Sequence, residues 1–255
     1  MKKFSVLVLF KFSFLFNLLG QSYSVLSDGD WYKITTNKEG IYKLDYSDFQ
    51  DIGVNVSNLQ ISSIRLYGNG GGMLPRLNSE FRHLDLVENA IKVKDANNNG
   101  FFDIEDYILF YGMSSSVWRF NENTNFFEYD LHLFSDEVAY FLTIDSQSNG
   151  KRVIDKNLSG DATKIISSYS VFANHELELE NLIESGREWF GERFSYDSKQ
   201  SFGFSIPDLI KTDSVHMKVA VAARSFQPSN FVIDVNSSFL TSLSIPAVSS
   251  AYAQE

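Results

Sequence analysis

From residue 31 onward the chain is written in short runs of aromatic and β-branched residues, each stopped by Gly, Asn, Asp or Ser. "WYKITT" (31–36), "GIYKLDY" (40–46) and "ISSIRLYG" (61–68) begin the series. "LDLVENAIKVK" (84–94), "YILFYG" (107–112), "FFEYDLHLF" (126–134) and "VAYFLTID" (138–145) continue it. Runs of this kind between turn residues are strands, because branched and aromatic side chains suit a pleated, half-buried surface. "NKEG" between the first two runs predicts a hairpin. Only "SDFQDIG" (47–53) breaks the pattern: Ser47 and Gln50 have capping-box spacing and Gly53 can stop a helix, so one or two helical turns fit there.

A second block starts near Ser168. "HELELENLI" (175–183), "SFGFSIPDLI" (201–210), "VHMKVAVAAR" (215–224), "FVIDVNSS" (231–238) and "SSFLTSLSIP" (237–246) alternate polar and apolar residues. The expected fold is therefore mainly β. Residues 23–165 form an N-terminal β-rich domain with one short helix. Residues 166–255 form a β-sandwich or jelly-roll-like domain, incomplete at its C-terminus where the sequence runs out in "AVSSAYAQE".

The segment 1–22 reads as a secretory signal peptide. Lys2 and Lys3 precede an apolar run broken by Lys11, and the small residues Gly20, Ser22 and Ser24 suit a cleavage site. The run is short for a membrane span and carries an internal charge. The expected destination is outside the cytoplasm, by export. Loss of Lys2, Lys3 and Lys11 takes the formal charge from −10 to −13. A chain this acidic repels phosphate backbones, so nucleic acid is not an expected partner. The sequence has no cysteine, which excludes disulfides, thiolate metal sites, cysteine nucleophiles and a lipidated cysteine within it.

One loop carries metal chemistry. In "DANNNGFFDIED" (95–106), Asp95, Asn97, Asn99, Gly100, Asp103 and Asp106 fall at positions 1, 3, 5, 6, 9 and 12 of a twelve-residue window. That is the oxygen-ligand spacing of a calcium loop, with Phe101 supplying a carbonyl from position 7. The flanking runs are strands, so this is not an EF-hand. The candidate ligands for Ca2+ are Asp95, Asn97, Asn99, Phe101, Asp103 and Asp106. The competing reading is a polar hairpin turn built from the same residue types.

Other motifs read more plainly. "GNGGG" (68–72) lacks the following Lys-Ser/Thr and helix of a phosphate loop, so it is a tight turn. His83, His132, His175 and His216 have no metalloprotease spacing, and no GxSxG elbow occurs. "SGREWFGERF" (185–194) concentrates aromatics and charges. It reads as a turn in which Trp189 and Phe190 plug the second domain and Arg187 pairs with a Glu; the alternative is a docking or ligand-contact loop with Arg187 and Trp189 as interface anchors.

Taken in order, "GDWYKI", "EGIYKLDY", "IRLYGNGGGMLP", "DLVENAIKV", "DYILFYG", "SGREWFGE" and "VAVAARS" resemble the N-terminal region of the type IX secretion system sortases, gingipain-like cysteine peptidases of Bacteroidota. The resemblance covers nearly the whole chain after residue 22. It implies a β-rich front end, a downstream peptidase domain, a place at the outer-membrane or cell surface after periplasmic transit, and partners among other type IX secretion components and cargo. It also implies that the parent removes C-terminal sorting signals and attaches cargo to lipopolysaccharide. The family's catalytic Cys and His have no matching positions here, so no catalytic residue and no activity are expected of this chain itself. The alternative is a stand-alone secreted β-module, an adhesin or glycan binder.

Overall fold

The computed structural model describes residues 23–156, 160, 162, 164–182, 184 and 188–249. The segment 1–22, expected as a signal peptide, and Arg187 lie outside the described residues. The chain is mainly β, with one short α-helix and several antiparallel sheets. It divides into two compact units, Met1–Asp161 and Ala162–Glu255.

In the first unit the strands are β1 (Trp31–Thr36), β2 (Gly40–Asp45), β3 (Ile64–Tyr67), β4 (Glu88–Asn89), β5 (Lys92–Lys94), β6 (Tyr107–Gly112), β7 (Val117–Asn121), β8 (Phe126–Asp130) and β9 (Val138–Ile144). One sheet runs β1-β9-β3-β4, a second runs β2-β6-β5, and β7 and β8 pair alone. Alternation decides which side chains turn inward. Val138, Tyr140 and Leu142 of β9 are buried, as are Ile64 and Leu66 of β3 and Ile108 and Phe110 of β6. With Phe49, Val54, Val56, Leu59, Ile91 and Phe102 they form one hydrophobic core.

The first two strands do not form the hairpin that "NKEG" predicts. β1 pairs with β9, and β2 pairs with β6. The local turn reverses nothing; it is a corner through which the chain passes from one sheet to the other. Close approach at Gly112 accommodates that corner. A Cβ there would sit 2.6 Å from the Tyr42 ring and 2.9 Å from Thr36 Cγ2. The run 84–94 is likewise two strands, not one, because Ile91 between them turns to the core and exchanges hydrogen bonds with residues 151 and 153.

Helix α1 (Tyr46–Asp51) is capped two residues earlier than the Ser47–Gln50 spacing predicts. Asp45, extended at the end of β2, accepts from Ser47 N and Asp48 N, while Asp48 Oδ2 accepts from Asp45 N at 2.8 Å. A carboxylate satisfies those donors better than the Ser47 hydroxyl, which itself donates to Asp45 Oδ1 at 2.6 Å. Gly53 ends the helix as expected, with φ +91° and its N–H on Gln50 O.

In the second unit β10 (Ser229–Val235) and β11 (Ser238–Ile245) form an antiparallel hairpin through Asn236 and Ser237, both at positive φ. The other runs expected as strands of a sandwich, 175–183, 201–210 and 215–224, lie outside any ladder among the described residues, apart from a single bridge between Glu180 and Phe190. Alternation makes a strand only where a partner edge takes the backbone groups and a core takes one face. Here Leu177, Leu179, Phe202, Phe204, Val215, Met217 and Val219 stay exposed.

Candidate metal loop

The β5–β6 connection holds the calcium-like spacing. Lys94 pairs with Tyr107, so the two ends of the loop, Asp95 and Asp106, are drawn together by the ladder itself. The loop is then fixed to the core at its middle. Phe102 is buried against Phe49, with ring centroids 4.5 Å apart, and its N–H donates to Leu59 O at 2.8 Å. Gly100 O accepts from Ile61 N at 3.0 Å. Asn98 and Gly100 take the left-handed conformation, φ +57° and +82°, which lets the chain curl between these anchors.

Inside the curl the polar groups serve three different purposes. Asp106 is almost fully buried, and both its oxygens accept backbone N–H groups: Ala96 N on Oδ1 and Asp103 N on Oδ2, each at 2.7 Å. Asp103 Oδ2 accepts from Asn97 Nδ2 at 2.9 Å and Asn99 Nδ2 at 2.7 Å. Those two amide donors hold its carboxyl below the usual carboxylate range. Asn97 Oδ1 and Asn99 Oδ1 accept from Asn99 N and Phe101 N in successive side-chain turns. Asp95 Oδ2 accepts from Gly100 N, but Asp95 Oδ1 is buried with no hydrogen-bond partner. Phe101 lies opposite Gln60 in an isolated bridge. Among the described residues no three His, Asp or Glu side chains converge as a metal-binding group.

The remaining sequence candidates separate in space and chemistry. Gly71 packs so closely on residue 114 that a Cβ would lie 1.9 Å from Ser114 O, and Gly72 N donates to Ser115 O at 2.8 Å. "GNGGG" is thus a turn pressed against the chain that follows β6. His132 Nδ1 accepts from Phe134 N and Ser135 N, and His83 stacks edge-on to Phe81. His175 Nε2 lies 2.6 Å from Glu192 Oε1, a contact that depresses the Glu192 carboxyl, and its ring lies against Phe202. Trp189 is 44% exposed and so is not the plug that the sequence suggests; Phe190 exchanges two backbone hydrogen bonds with Glu180 instead. Glu180 takes Arg193 as its cation, at 2.8 Å. Among the described residues no helix is long and apolar enough to cross a membrane.

Fold and loop together define a class: a two-unit, mainly β protein without cysteine, carrying a core-anchored polar loop. No protein-family model matches the chain, and no curated protein matches it. A solved structure does share the fold. The crystal structure of dimeric latent PorU from Porphyromonas gingivalis superposes with a TM-score of 0.60 at 22% identity, over 89% of this chain and 20% of that one. The chain thus spans about one fifth of that protein's length.

Proposed function

We propose that this chain is the non-catalytic N-terminal portion of a type IX secretion sortase. The observation that carries the reading is the fold shared with PorU over 89% of the chain. The ordered motifs from "GDWYKI" to "VAVAARS" and the absence of cysteine agree with a front end whose chemistry lies in a downstream peptidase domain. In this reading the chain is exported and works at the outer-membrane surface. Its partners are the peptidase domain, other type IX components and cargo whose sorting signals are removed before attachment to lipopolysaccharide. The test is genetic. Deleting residues 30–155 from the natural protein should leave cargo with its C-terminal signal uncleaved, whereas normal cargo processing would overturn the proposal. Purified residues 23–255 should leave sorting-signal peptides intact and ignore thiol-directed probes.

For the loop we propose weak calcium binding. The supporting observation is the buried, unpartnered Asp95 Oδ1 beside an otherwise saturated network. A buried carboxylate oxygen without a donor is costly, and a cation removes that cost. Asp95, Asn97, Asn99, Phe101, Asp103 and Asp106 would hold the ion. The two amide NH2 groups on Asp103 would yield to it. Neutral amides and a short final Asp predict an affinity of roughly 10⁻⁴–10⁻³ M, the range of extracellular modules.

A further inference from the structure

Not one described residue of Ala162–Glu255 is buried, whereas the first unit has a hydrophobic core. A polypeptide without a core does not hold a fold by itself, because apolar burial is what offsets the conformational entropy of ordering it. Among the described residues the second unit's one ladder is β10–β11, a two-stranded hairpin, and such a hairpin is marginal alone in water. The runs 201–210 and 215–224 carry the same alternation but lie outside it. Phe202 is 44% exposed and Phe204 50%; Met217 is 49% exposed and Val219 41%. Residues 201–206 and 217–223 make no backbone hydrogen bond. Apolar side chains and backbone groups are thus left open together on the same two segments.

On the reading of this chain as the front portion of a longer sortase, we propose that strands from the polypeptide that follows it in the parent close the second unit. They add to 201–206 and 217–223 and cover Phe202, Phe204, Met217 and Val219. The open backbone decides the class of occupant. A lipid phase cannot accept unpaired N–H and C=O groups, and a small ligand cannot pair a run of them. An added strand meets both needs: its main chain completes the ladder, and its side chains fill the alternate positions. The layout is also a shared fold. The PorU match covers 89% of this chain and so includes most of Ala162–Glu255, yet it takes up only 20% of that chain. A similar backbone layout therefore stands there inside a much longer polypeptide. A strand supplied in cis also prevails over one from a second copy, because a short tether sets an effective concentration in the millimolar range.

The test is amide hydrogen exchange on residues 23–255 and on the full natural protein. Exchange at 201–206 and 217–223 should be at least about a hundredfold slower in the full protein, while β9, in the core of the first unit, exchanges alike in both. Phe204→Asp combined with Met217→Asp should restore fast exchange at both runs in the full protein and leave β9 unchanged. Protection already present in residues 23–255 overturns the proposal. If that protection grows with protein concentration and a dimer sediments, the occupant is a second copy; if it is independent of concentration, the occupant is the first unit. Fast exchange at both runs in the full protein also overturns closure, even where deleting residues 30–155 blocks cargo processing and so upholds the sortase reading. Conversely, slow exchange in a full protein that processes cargo normally without residues 30–155 upholds closure and sinks the sortase reading.

Discussion

Gly100 donates its backbone N–H to Asp95 Oδ2 at 2.9 Å, tying the sixth residue of the loop to the first. The bond occupies one carboxylate oxygen and leaves the other, Oδ1, buried and unpartnered. Position 1 of this spacing is thereby split in role: one oxygen shapes the turn, the other has no hydrogen-bond partner.

Calcium should therefore stabilise the protein through Asp95. Binding only to the folded state adds RT ln(1 + [L]/Kd), about 1.4 kcal/mol when the ion stands at roughly ten times its Kd. Millimolar calcium should raise the melting temperature by roughly 2–6 °C, and magnesium should do less because it demands regular octahedral geometry. Replacing Asp95 with Asn should abolish the increment. Identical calcium responses in wild type and variant would reduce "DANNNGFFDIED" to a turn.

Asp106 also has a structural role, and its loss should be felt even without any ion. Its two oxygens satisfy Ala96 N–H and Asp103 N–H inside the fold. Asp106→Ala strands both donors, at a cost of roughly 2–4 kcal/mol. Asp106→Asn keeps one acceptor and should cost about half as much. Urea denaturation in the presence of a chelator separates this effect from calcium; a change below about 0.5 kcal/mol for the alanine variant would contradict the assignment.

Which parts of this were legible in the sequence follows from which forces are local. The alternation of Val138, Tyr140 and Leu142 announces β9 and its inner face. The six matching positions of the loop announce its curl, and the flanking strand patterns announce the hairpin that closes it. Partner choice is another matter. β1 and β2 carry a plausible hairpin turn, yet each finds its ladder about a hundred or seventy residues away, at β9 and β6, because burial of both sheets' inner faces outweighs a local turn preference. Arg152 had no sequence signal at all: its guanidinium donates to the carbonyls of Ile61 and Ile64, 91 and 88 residues away. Asp106's backbone role was hidden for the same reason, since a ligand spacing and a staple spacing are identical on paper. In the second unit, the alternation of Glu and Leu in "HELELE" promised a strand, but alternation says nothing about whether an edge is present to meet it.

Acid should weaken the first unit through three carboxylates. Asp103 is held low by Asn97 and Asn99, Asp45 by the Ser47 hydroxyl and Asp48 N–H, and Asp85 by the N–H groups of Val25 and Leu86. Each folded pKa lies below the unfolded value of 3.8, so the folded form binds protons less readily. Their stabilisation is complete above that value and is lost as pH falls through the lowered folded values. The urea midpoint should show no loss from these groups between neutral pH and about pH 5 and should decline below about pH 4. Changing all three to Asn should flatten that decline. An equally steep acid limb in the triple variant would place the titration elsewhere.

Two glycines test two separate demands of the backbone. Gly100 has open space around its missing Cβ but a φ of +82°, so Gly100→Ala should cost roughly 1–2 kcal/mol from backbone strain alone. Gly71 carries no such φ. Its constraint is contact: an added Cβ would meet Ser114 O at 1.9 Å and Met113 Cβ at 3.1 Å. A backbone oxygen cannot swing aside like a side-chain tip, so residues 113–115 must move, and with them the Gly72 N–H to Ser115 O bond that closes the turn. Gly71→Ala should cost roughly 1–3 kcal/mol or more, at least as much as Gly100→Ala. The two variants should also differ in where they loosen the protein. Hydrogen exchange should quicken at residues 68–72 and 113–117 for Gly71→Ala, and at residues 95–106 for Gly100→Ala. If Gly71→Ala is neutral, "GNGGG" is open enough to admit a side chain, and the packing reading of that turn fails.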